Sequence, residues 1–424
     1  MYDLIVIGSG PAGYNAALIA AREKLKVVIF EENLNNLGGV CLNEGCIPLK
    51  GFLYYSKYEK NCKKIKQNVL NKIKILREGL KSRILNSGIE IINASAKIKS
   101  KNEISAGDKI YKTKNIIIAV GSVAIKFFNY ENILTSEKIS NIDNDFKKIL
   151  IIGAGPTGLE YASFFNNLGK DVTIVEIFPF ILPWIDKETI NYYIRELNKK
   201  RIKLFLETRI EEITTGNEVS IIKSNEKIKE KFDIIIETTG RKPATSKIGL
   251  ENSGVKIDEK GFIKVNENFQ TNIENIFAIG DCINTPMLAY TASKEAEIVM
   301  QYILTGKTGT LDYNKIPYIV FSTPQIGKTG DINIDVDIKI LKYFFKANGK
   351  AFIEGKETGF IKLFIDEKNN VINGGLIIGD EIAELLNELT IIIDNKIPIG
   401  KIKESVFLHP SYSEIILDAL NYGI

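Results

Sequence analysis

The chain has 424 residues, 45% of them apolar and 25% charged, with 56 cations against 52 anions and one histidine. That length allows two to three domains with large buried cores, and the balance is that of an ordinary globular protein. A formal net charge of +4 without a long Lys/Arg block argues against nucleic acid, and no apolar run is long enough to span a bilayer, so neither is an expected partner. Residues 2–7 enter a strand at once, without the basic stretch and cleavage site of a signal peptide, which sets a cytoplasmic expectation. Four cysteines are too few for a structural disulfide framework, but Cys41 and Cys46 lie close together and point to redox or metal chemistry.

The first predicted unit is a strand over 4–7, the turn Gly8-Ser9-Gly10-Pro11-Ala12-Gly13, an Ala-rich helix and a strand over 27–31 ending in Glu31. The cysteine segment follows, and then a Lys-rich stretch over 52–87 whose apolar residues recur at helical spacing, which predicts an amphipathic helical hairpin. Residues 115–122 predict a buried strand ending in a small-residue turn. A near copy of the first unit begins at 149, with the turn Gly153-Ala154-Gly155-Pro156-Thr157-Gly158, a helix, and a strand over 172–176 ending in Glu176. Such duplication predicts two similar domains. Residues 275–281 form another apolar run ending in an acid, Asp281. From about 312 the pattern changes: short strands over 316–321 and 360–365 and a helix near 380–395 predict a separate α+β domain.

A lone G-x-G-x-x-G is weak, because glycines also make ordinary turns. Here each copy follows a strand, opens a helix and is followed by a strand ending in an acid. The first glycine makes the tight turn, the second lets backbone approach a pyrophosphate, and the third allows close helix–strand packing. The helix N-terminus receives the phosphates. Glu31 and Glu176 are placed for a ribose hydroxyl. A 2′-phosphate beside Glu176 would be repelled, so the second site should prefer NAD to NADP.

The cysteine segment reads Gly38-Gly39-Val40-Cys41-Leu42-Asn43-Glu44-Gly45-Cys46-Ile47-Pro48-Leu49-Lys50. A zinc site needs about four ligands, and only Cys62, Cys282 and His409 remain to supply them. In an ideal helix, positions five apart are separated by about 8.7 Å, whereas a disulfide needs roughly 4.4–6.8 Å between Cα atoms. A bridge therefore requires a distorted helix start. Strain makes such a bond easier to reduce, and so short a loop adds little stability, so the expected role is redox.

This Gly-Gly-x-Cys-x₄-Cys-x-Pro-x-Lys pattern resembles the pyridine nucleotide-disulfide oxidoreductases, and among them most closely the dihydrolipoamide dehydrogenases. Leu408-His409-Pro410-Ser411-Tyr412-Ser413-Glu414 resembles their His-Pro-x-x-Ser-Glu motif, and the residues over 347–351 and 358–362 are similar to the matching region. The likeness runs nearly end to end. It implies an α/β fold of two Rossmann-like dinucleotide-binding domains plus a C-terminal α+β dimerisation domain. The FAD-binding domain would take 1–142 and 262–312, the NAD-binding domain 143–261 and the interface domain 313–424.

The resemblance also implies roles. FAD would lie on Gly8, Gly10, Pro11, Ala12 and Gly13, with Glu31 on its ribose, and against Gly39, Val40 and Lys50. Ala119, Gly121 and Ser122 would close over it, Asp281 would bond its ribityl chain, and backbone at Met287, Leu288 and Ala289 would face its pyrimidine end. NAD would lie on Gly153, Gly155, Pro156, Thr157 and Gly158, with Glu176 and Gly240 beside it. Cys41 is then the distal sulfur and Cys46 the one against the flavin. Lys50, paired with Glu160, sits near flavin N5. His409, oriented by Glu414, is the acid–base group, and an imidazole reference pKa of about 6.5 against about 8.5 for Cys suits that task. In this family the histidine reaches the cysteines of the other subunit, so a homodimer is implied. No metal is expected.

The implied reaction oxidises a dihydrolipoyl group with NAD⁺. Its carrier is a lipoyl-bearing protein of a 2-oxoacid dehydrogenase, acetoin or glycine-cleavage type complex. Several positions depart from the pattern: Leu49, Thr157, Tyr290, Phe407 and the pair Pro324-Gln325, a missing helix after 327–330, and a shortened 52–87 region. Glutathione- or mercuric-reductase-like activity stays open, although such enzymes usually use NADP and no cysteine follows Cys282. So does a flavoprotein subunit with impaired turnover.

Overall fold

Strand β1 (Tyr2–Ile7) is central to a parallel sheet, and its Leu4, Ile5 and Val6 are fully buried, as expected of a strand covered by helices on both faces. The structure is a computed structural model that describes residues 1–128, 130, 133–141, 146–223, 226–333 and 338–424. Helix α1 (Pro11–Arg22) opens on a proline, where a missing N–H is harmless, and buries Ala12, Ala16, Ala17 and Ala20. It leads to β2 (Val27–Glu31), parallel to β1. Helices α2 (Gly39–Asn43), α3 (Cys46–Ser56) and α4 (Cys62–Asn86) then precede β3 (Glu90–Asn93). The hairpin expected over 52–87 starts earlier, because its first arm is α3 from Cys46, and its break lies at 57–61. Strands β4 (Lys97–Ser100), β5 (Glu103–Ala106) and β6 (Lys109–Ile118) make an antiparallel meander, and the second half of β6 runs on beside β1.

After β7 (Ser122–Ala124) the second unit is built from β8 (Ile133–Thr135), β9 (Lys148–Ile152), α5 (Pro156–Asn167), β10 (Asp171–Val175), α6 (Lys187–Lys199) and β11 (Lys203–Phe205). An antiparallel ribbon follows, of β12 (Thr208–Ile213), β13 (Glu218–Lys223) and β14 (Glu226–Lys231), and then β15 (Ile234–Glu237). The chain returns through β16 (Arg241–Pro243), α7 (Leu250–Ser253), β17 (Ile276–Ala278) and α8 (Ala289–Thr305). The parallel strands run β3-β2-β1-β6-β17 in the first sheet and β11-β10-β9-β15-β8 in the second, the same order in both. These are the two Rossmann-like domains.

Pairings cross the bounds drawn at 142 and 262. Strand β8 pairs with β15 in the second sheet, although it precedes residue 142. Strand β16 pairs back onto β7, and Ile248, Leu250 and Val255 pack in the first core, although they precede residue 262. Hydrogen-bond partners set a sheet's edge, and hydrophobic periodicity does not name them.

The C-terminal domain comprises β18 (Tyr318–Val320), β19 (Gln325–Gly330), β20 (Ile338–Phe344), α9 (Gly349–Ile353), β21 (Phe360–Asp366), β22 (Val371–Gly379), α10 (Ala383–Asp394), α11 (Ile399–Glu404) and α12 (Glu414–Tyr422). Its antiparallel sheet has the order β18-β19-β22-β21-β20, and no helix is described between β19 and β20. Ile361, Leu363 and Ile365 on one face of β21 pack against α10 and α12. Phe360 and Phe364 on the other face share a core with Leu49 and Phe52 of α3, Phe164 and Phe165 of α5, and Tyr193 of α6. Lys362, on that same inner face, is buried against Asp186 (2.9 Å) and Glu188 (2.6 Å) at the start of α6. Among the described residues no helix is long and apolar enough to cross a membrane.

Candidate active site

The helix that carries the cysteines is broken between them. Helix α2 stops at Asn43, Glu44 (φ −138°, ψ −1°) and Gly45 (φ −122°, ψ −112°) leave helical geometry, and α3 restarts at Cys46. A Cβ on Gly45 would sit 3.0 Å from the Val40 carbonyl oxygen. The distortion that an i, i+5 bridge requires is thus built in. In the dithiol state described, the Cys41 and Cys46 side chains hydrogen-bond each other. The bond from Cys41 and the nearby Lys50 cation, against burial, pull Cys46 down to about 7. The shared proton and burial push Cys41 up. Cys46 is therefore the sulfur that carries charge.

Lys50 lies one turn beyond Cys46 on α3, and its Nζ meets both carboxylate oxygens of Glu160 on α5, at 2.9 and 2.7 Å. Glu160 is 3% exposed and also accepts the Phe321 N–H at 3.0 Å, while Lys50 stands 4.9 Å from the Phe321 ring centroid. All three domains meet at this ion pair. The bidentate contact and the backbone donor fix the position of the Lys50 ammonium group behind Cys46.

At the first nucleotide turn, Gly8 has φ +101° and a Cβ there would sit 2.3 Å from the Ala119 carbonyl oxygen; one on Gly13 would sit 2.0 Å from that of Gly8. A Cβ on Gly39 would meet the Gly10 Cα at 2.7 Å. Pro11 and Ala12 open α1, and Val40 lies beside Gly39 in α2. Glu31 accepts the Ser9 hydroxyl (2.5 Å), the Ser9 N–H (3.3 Å) and the Asn33 N–H (3.1 Å). Gly280 packs on Ala12, and Asp281 accepts the Ser122 hydroxyl at 2.6 Å. Gly121 has nothing within 4 Å of where a Cβ would be. Leu288 caps α8, so Met287, Leu288 and Ala289 lie at that helix's N-terminus. This side-chain-free cradle at a helix N-terminus, with acids beyond it, fits FAD.

The second turn repeats the first. Gly153 has φ +102° under the Thr238 carbonyl, and a Cβ on Gly158 would sit 2.1 Å from the Gly153 oxygen. Gly155 has nothing within 4 Å, which leaves the face before Pro156 and Thr157 open to a phosphate. Glu176 accepts the Ala154 N–H (2.8 Å) and the Phe178 N–H (3.0 Å), the counterparts of the two backbone donors to Glu31. Gly240 (φ +126°) packs near Ile125. These residues fit NAD.

His409 lies just before α12. Its Nδ1 is 2.8 Å from Glu414, whose other oxygen accepts the Ser411 N–H at 2.7 Å. The bond to His409, then that from Ser411, hold Glu414 below the usual carboxylate range. The imidazole is 80% exposed, and no hydrogen bond joins it to either cysteine of its own chain. Val406 and Leu408 beside it are almost fully exposed. Among the described residues no group of three His, Cys, Asp or Glu side chains is arranged to hold a metal.

Two residues escaped the sequence reading. Arg241 bonds the Ser122 hydroxyl (2.7 Å), the Ser122 carbonyl (2.8 Å) and Glu137 (2.8 Å), joining the second domain to the turn under Asp281. Glu295 on α8 is fully buried and accepts from the Gly280 N–H (2.6 Å), Thr285 (2.9 Å) and Tyr313 (2.9 Å). An acid between Ala292, Ala296 and Val299 on the helix's inner face was the available signal.

Comparison with known proteins agrees with this geometry. Residues 2–296 match the pyridine nucleotide-disulphide oxidoreductase family and residues 316–420 its dimerisation domain. The dihydrolipoyl dehydrogenase of Chlamydia pneumoniae is 32% identical over 98% of this chain and 95% of its own length, and that of Thermus scotoductus is 31% identical over 99% and 96%. Among solved structures, the HOCl-induced flavoprotein disulfide reductase RclA of Escherichia coli superposes with a TM-score of 0.93 at 24% identity, covering 99% of this chain and 100% of that one. The chain belongs to the pyridine nucleotide-disulphide oxidoreductase family, and its cofactors are FAD and NAD.

Proposed function

We propose that the protein is a homodimeric, cytoplasmic dihydrolipoyl dehydrogenase. It would oxidise dihydrolipoyl groups borne by a protein of a 2-oxoacid dehydrogenase, acetoin or glycine-cleavage type complex, and reduce NAD⁺. The observation that carries this reading is the cysteine pair across a helix break, with Lys50–Glu160 behind it. The end-to-end likeness to dihydrolipoyl dehydrogenases supports it.

In the oxidised enzyme Cys41 and Cys46 form a disulfide. A substrate thiolate attacks the Cys41 sulfur, and Cys46 leaves as thiolate. Its depressed pKa makes it the better leaving group, which assigns the attack to Cys41. The second substrate thiol attacks the substrate's own sulfur in the mixed disulfide, releases Cys41 and closes the lipoyl ring. The partner subunit's His409, held in orientation by a Glu414 carboxylate, accepts the proton of the first attacking thiol, returns it to the departing Cys41 sulfur in the second exchange, and takes up the proton of the second thiol. Lys50 places its ammonium group near Cys46, and Glu160 holds it in position. FAD held on the Gly8–Gly13 turn, Glu31 and Asp281 would supply the two-electron relay between the Cys46 thiolate and the nicotinamide. Glu176 favours a nucleotide with a free 2′-hydroxyl.

The test is a parallel steady-state assay of NAD⁺ and NADP⁺ turnover with dihydrolipoamide, glutathione disulfide and mercuric ion. Fastest turnover with dihydrolipoamide and NAD⁺ is expected. Preferred reduction of glutathione disulfide or mercuric ion, or no turnover by a yellow, NADH-reducible protein, would replace the reading with another disulfide reductase or a non-catalytic subunit.

A further inference from the structure

The 25-residue helix α4 carries eight cations and one acid, while the whole chain carries 56 and 52, so everything outside this helix is net negative. Its buried stripe is Cys62, Ile65, Val69, Ile73 and Ile84. A second stripe lies beside it: Lys63, Lys66, Lys74, Arg77 and Lys81, with the exposed Leu70 and Leu85 completing the three- and four-residue spacing that places side chains on one helix face. Some lysines elsewhere meet acids, as in Lys148–Glu230, Lys227–Glu211 and Lys342–Glu188. Of the eight cations on α4, only Lys64 enters an ion pair among the described residues, with Glu59 at 3.9 Å.

The stripe is also attached to the redox loop. Arg77 donates to the Asn35 carbonyl and to Asn43 Oδ1 at 3.1 Å, and Asn43 Nδ2 holds the Gly39 carbonyl at 2.8 Å. Asn43 lies between Cys41 and Cys46. The Leu80 side chain of α4 packs on Gly38. A partner seated on α4 therefore sits beside the segment that exchanges thiols.

We infer that the cationic stripe of α4 docks an acidic protein domain that carries the dithiol substrate on a flexible arm. The inference rests on the proposed oxidation of protein-bound dihydrolipoyl groups and adds the charge and the footprint of the carrier. Cations outside ion pairs, with the exposed Leu70 among them and Leu85 at the end of the stripe, suit an acidic, folded partner. Charge of one sign concentrated beside a reactive site raises encounter rates about 10- to 1,000-fold, with steep salt dependence.

The test is the holoenzyme with Lys66, Lys74 and Lys81 all changed to Glu, none of them in the redox or cofactor machinery. Three probes are used: free dihydrolipoamide, a net-negative lipoyl domain in its dihydrolipoyl form, and the same domain fluorescently labelled for anisotropy. Expected results are turnover of free dihydrolipoamide within about twofold of the unchanged enzyme, and a loss of about tenfold or more in kcat/KM for the domain at low salt. The gap should close as salt rises, and anisotropy should show the lost binding without any turnover. An equal effect on both substrates, or none on the domain, overturns the docking surface. So do a change of oligomeric state on reversal, and reversal-sensitive binding of duplex DNA or phosphatidylglycerol vesicles with domain binding unaltered. Failure of the unchanged enzyme to oxidise free dihydrolipoamide counts against the proposed function instead, and the anisotropy comparison still decides the docking surface.

Discussion

The ionisation of Cys46 can be tested at a single hydrogen bond. The largest cause of its descent from an ordinary 9.0 to about 7 is the bond from Cys41; burial opposes it and Lys50 assists it. In Cys41→Ala the donor is gone, and burial stands against the Lys50 cation alone. In Cys41→Ser a hydroxyl can still donate. At pH 7 a thiol of pKa about 7 is about half thiolate, and one returned to about 9 is about one part in a hundred. The more basic thiolate is the better nucleophile, which recovers part of that roughly fiftyfold loss, so alkylation at pH 7 should fall only about five- to tenfold. The midpoint of the pH profile is the cleaner readout. We expect it to rise by about two units in Cys41→Ala and to stay near 7 in Cys41→Ser. Iodoacetamide labelling of the holoenzyme reports on Cys46, because the other two cysteines, Cys62 and Cys282, are buried. Equal midpoints in the two variants would refute the argument that Cys41 donates the stabilising bond.

The same titration should separate Lys50 from Glu160, because their charges act on Cys46 in opposite senses: Lys50→Met should raise the midpoint and Glu160→Gln lower it, and shifts of one sign would contradict the geometry. Removing the Glu176 charge and adding an arginine nearby should raise NADP use relative to NAD, measured as the ratio of kcat/KM values; an unmodified enzyme that prefers NADPH would end this reading. His409→Ala should slow the dithiol half-reaction about 10²- to 10⁴-fold while NADH-driven reduction of a small dye persists, with a smaller defect of the same kind in Glu414→Gln. Mixing inactive Cys41→Ser and His409→Ala proteins under verified subunit exchange should restore lipoamide activity, and its absence would exclude a site shared between subunits.

The two glycine turns were legible in the sequence because their chemistry is local: Gly8, Gly13, Gly153 and Gly158 approach backbone so closely that no Cβ fits. The broken helix between Cys41 and Cys46 was also legible, since a disulfide cannot span five residues of regular helix. Lys50–Glu160 and His409–Glu414 came from the resemblance, not from spacing, and the structure brings each pair together. Only the tertiary structure decided which strands lie side by side, and so where the chain crosses between domains at β8 and β16. It alone brought Arg241 to Ser122 and Glu137, and buried Glu295 under the Gly280 turn. It also seated the cationic face of α4 beside the redox loop, through Arg77 and Asn43. The physical reason is range. A turn or a helix break is set by steric limits within a few residues, whereas a buried polar contact or a sheet edge depends on partners far away in the chain, and periodicity carries no record of them.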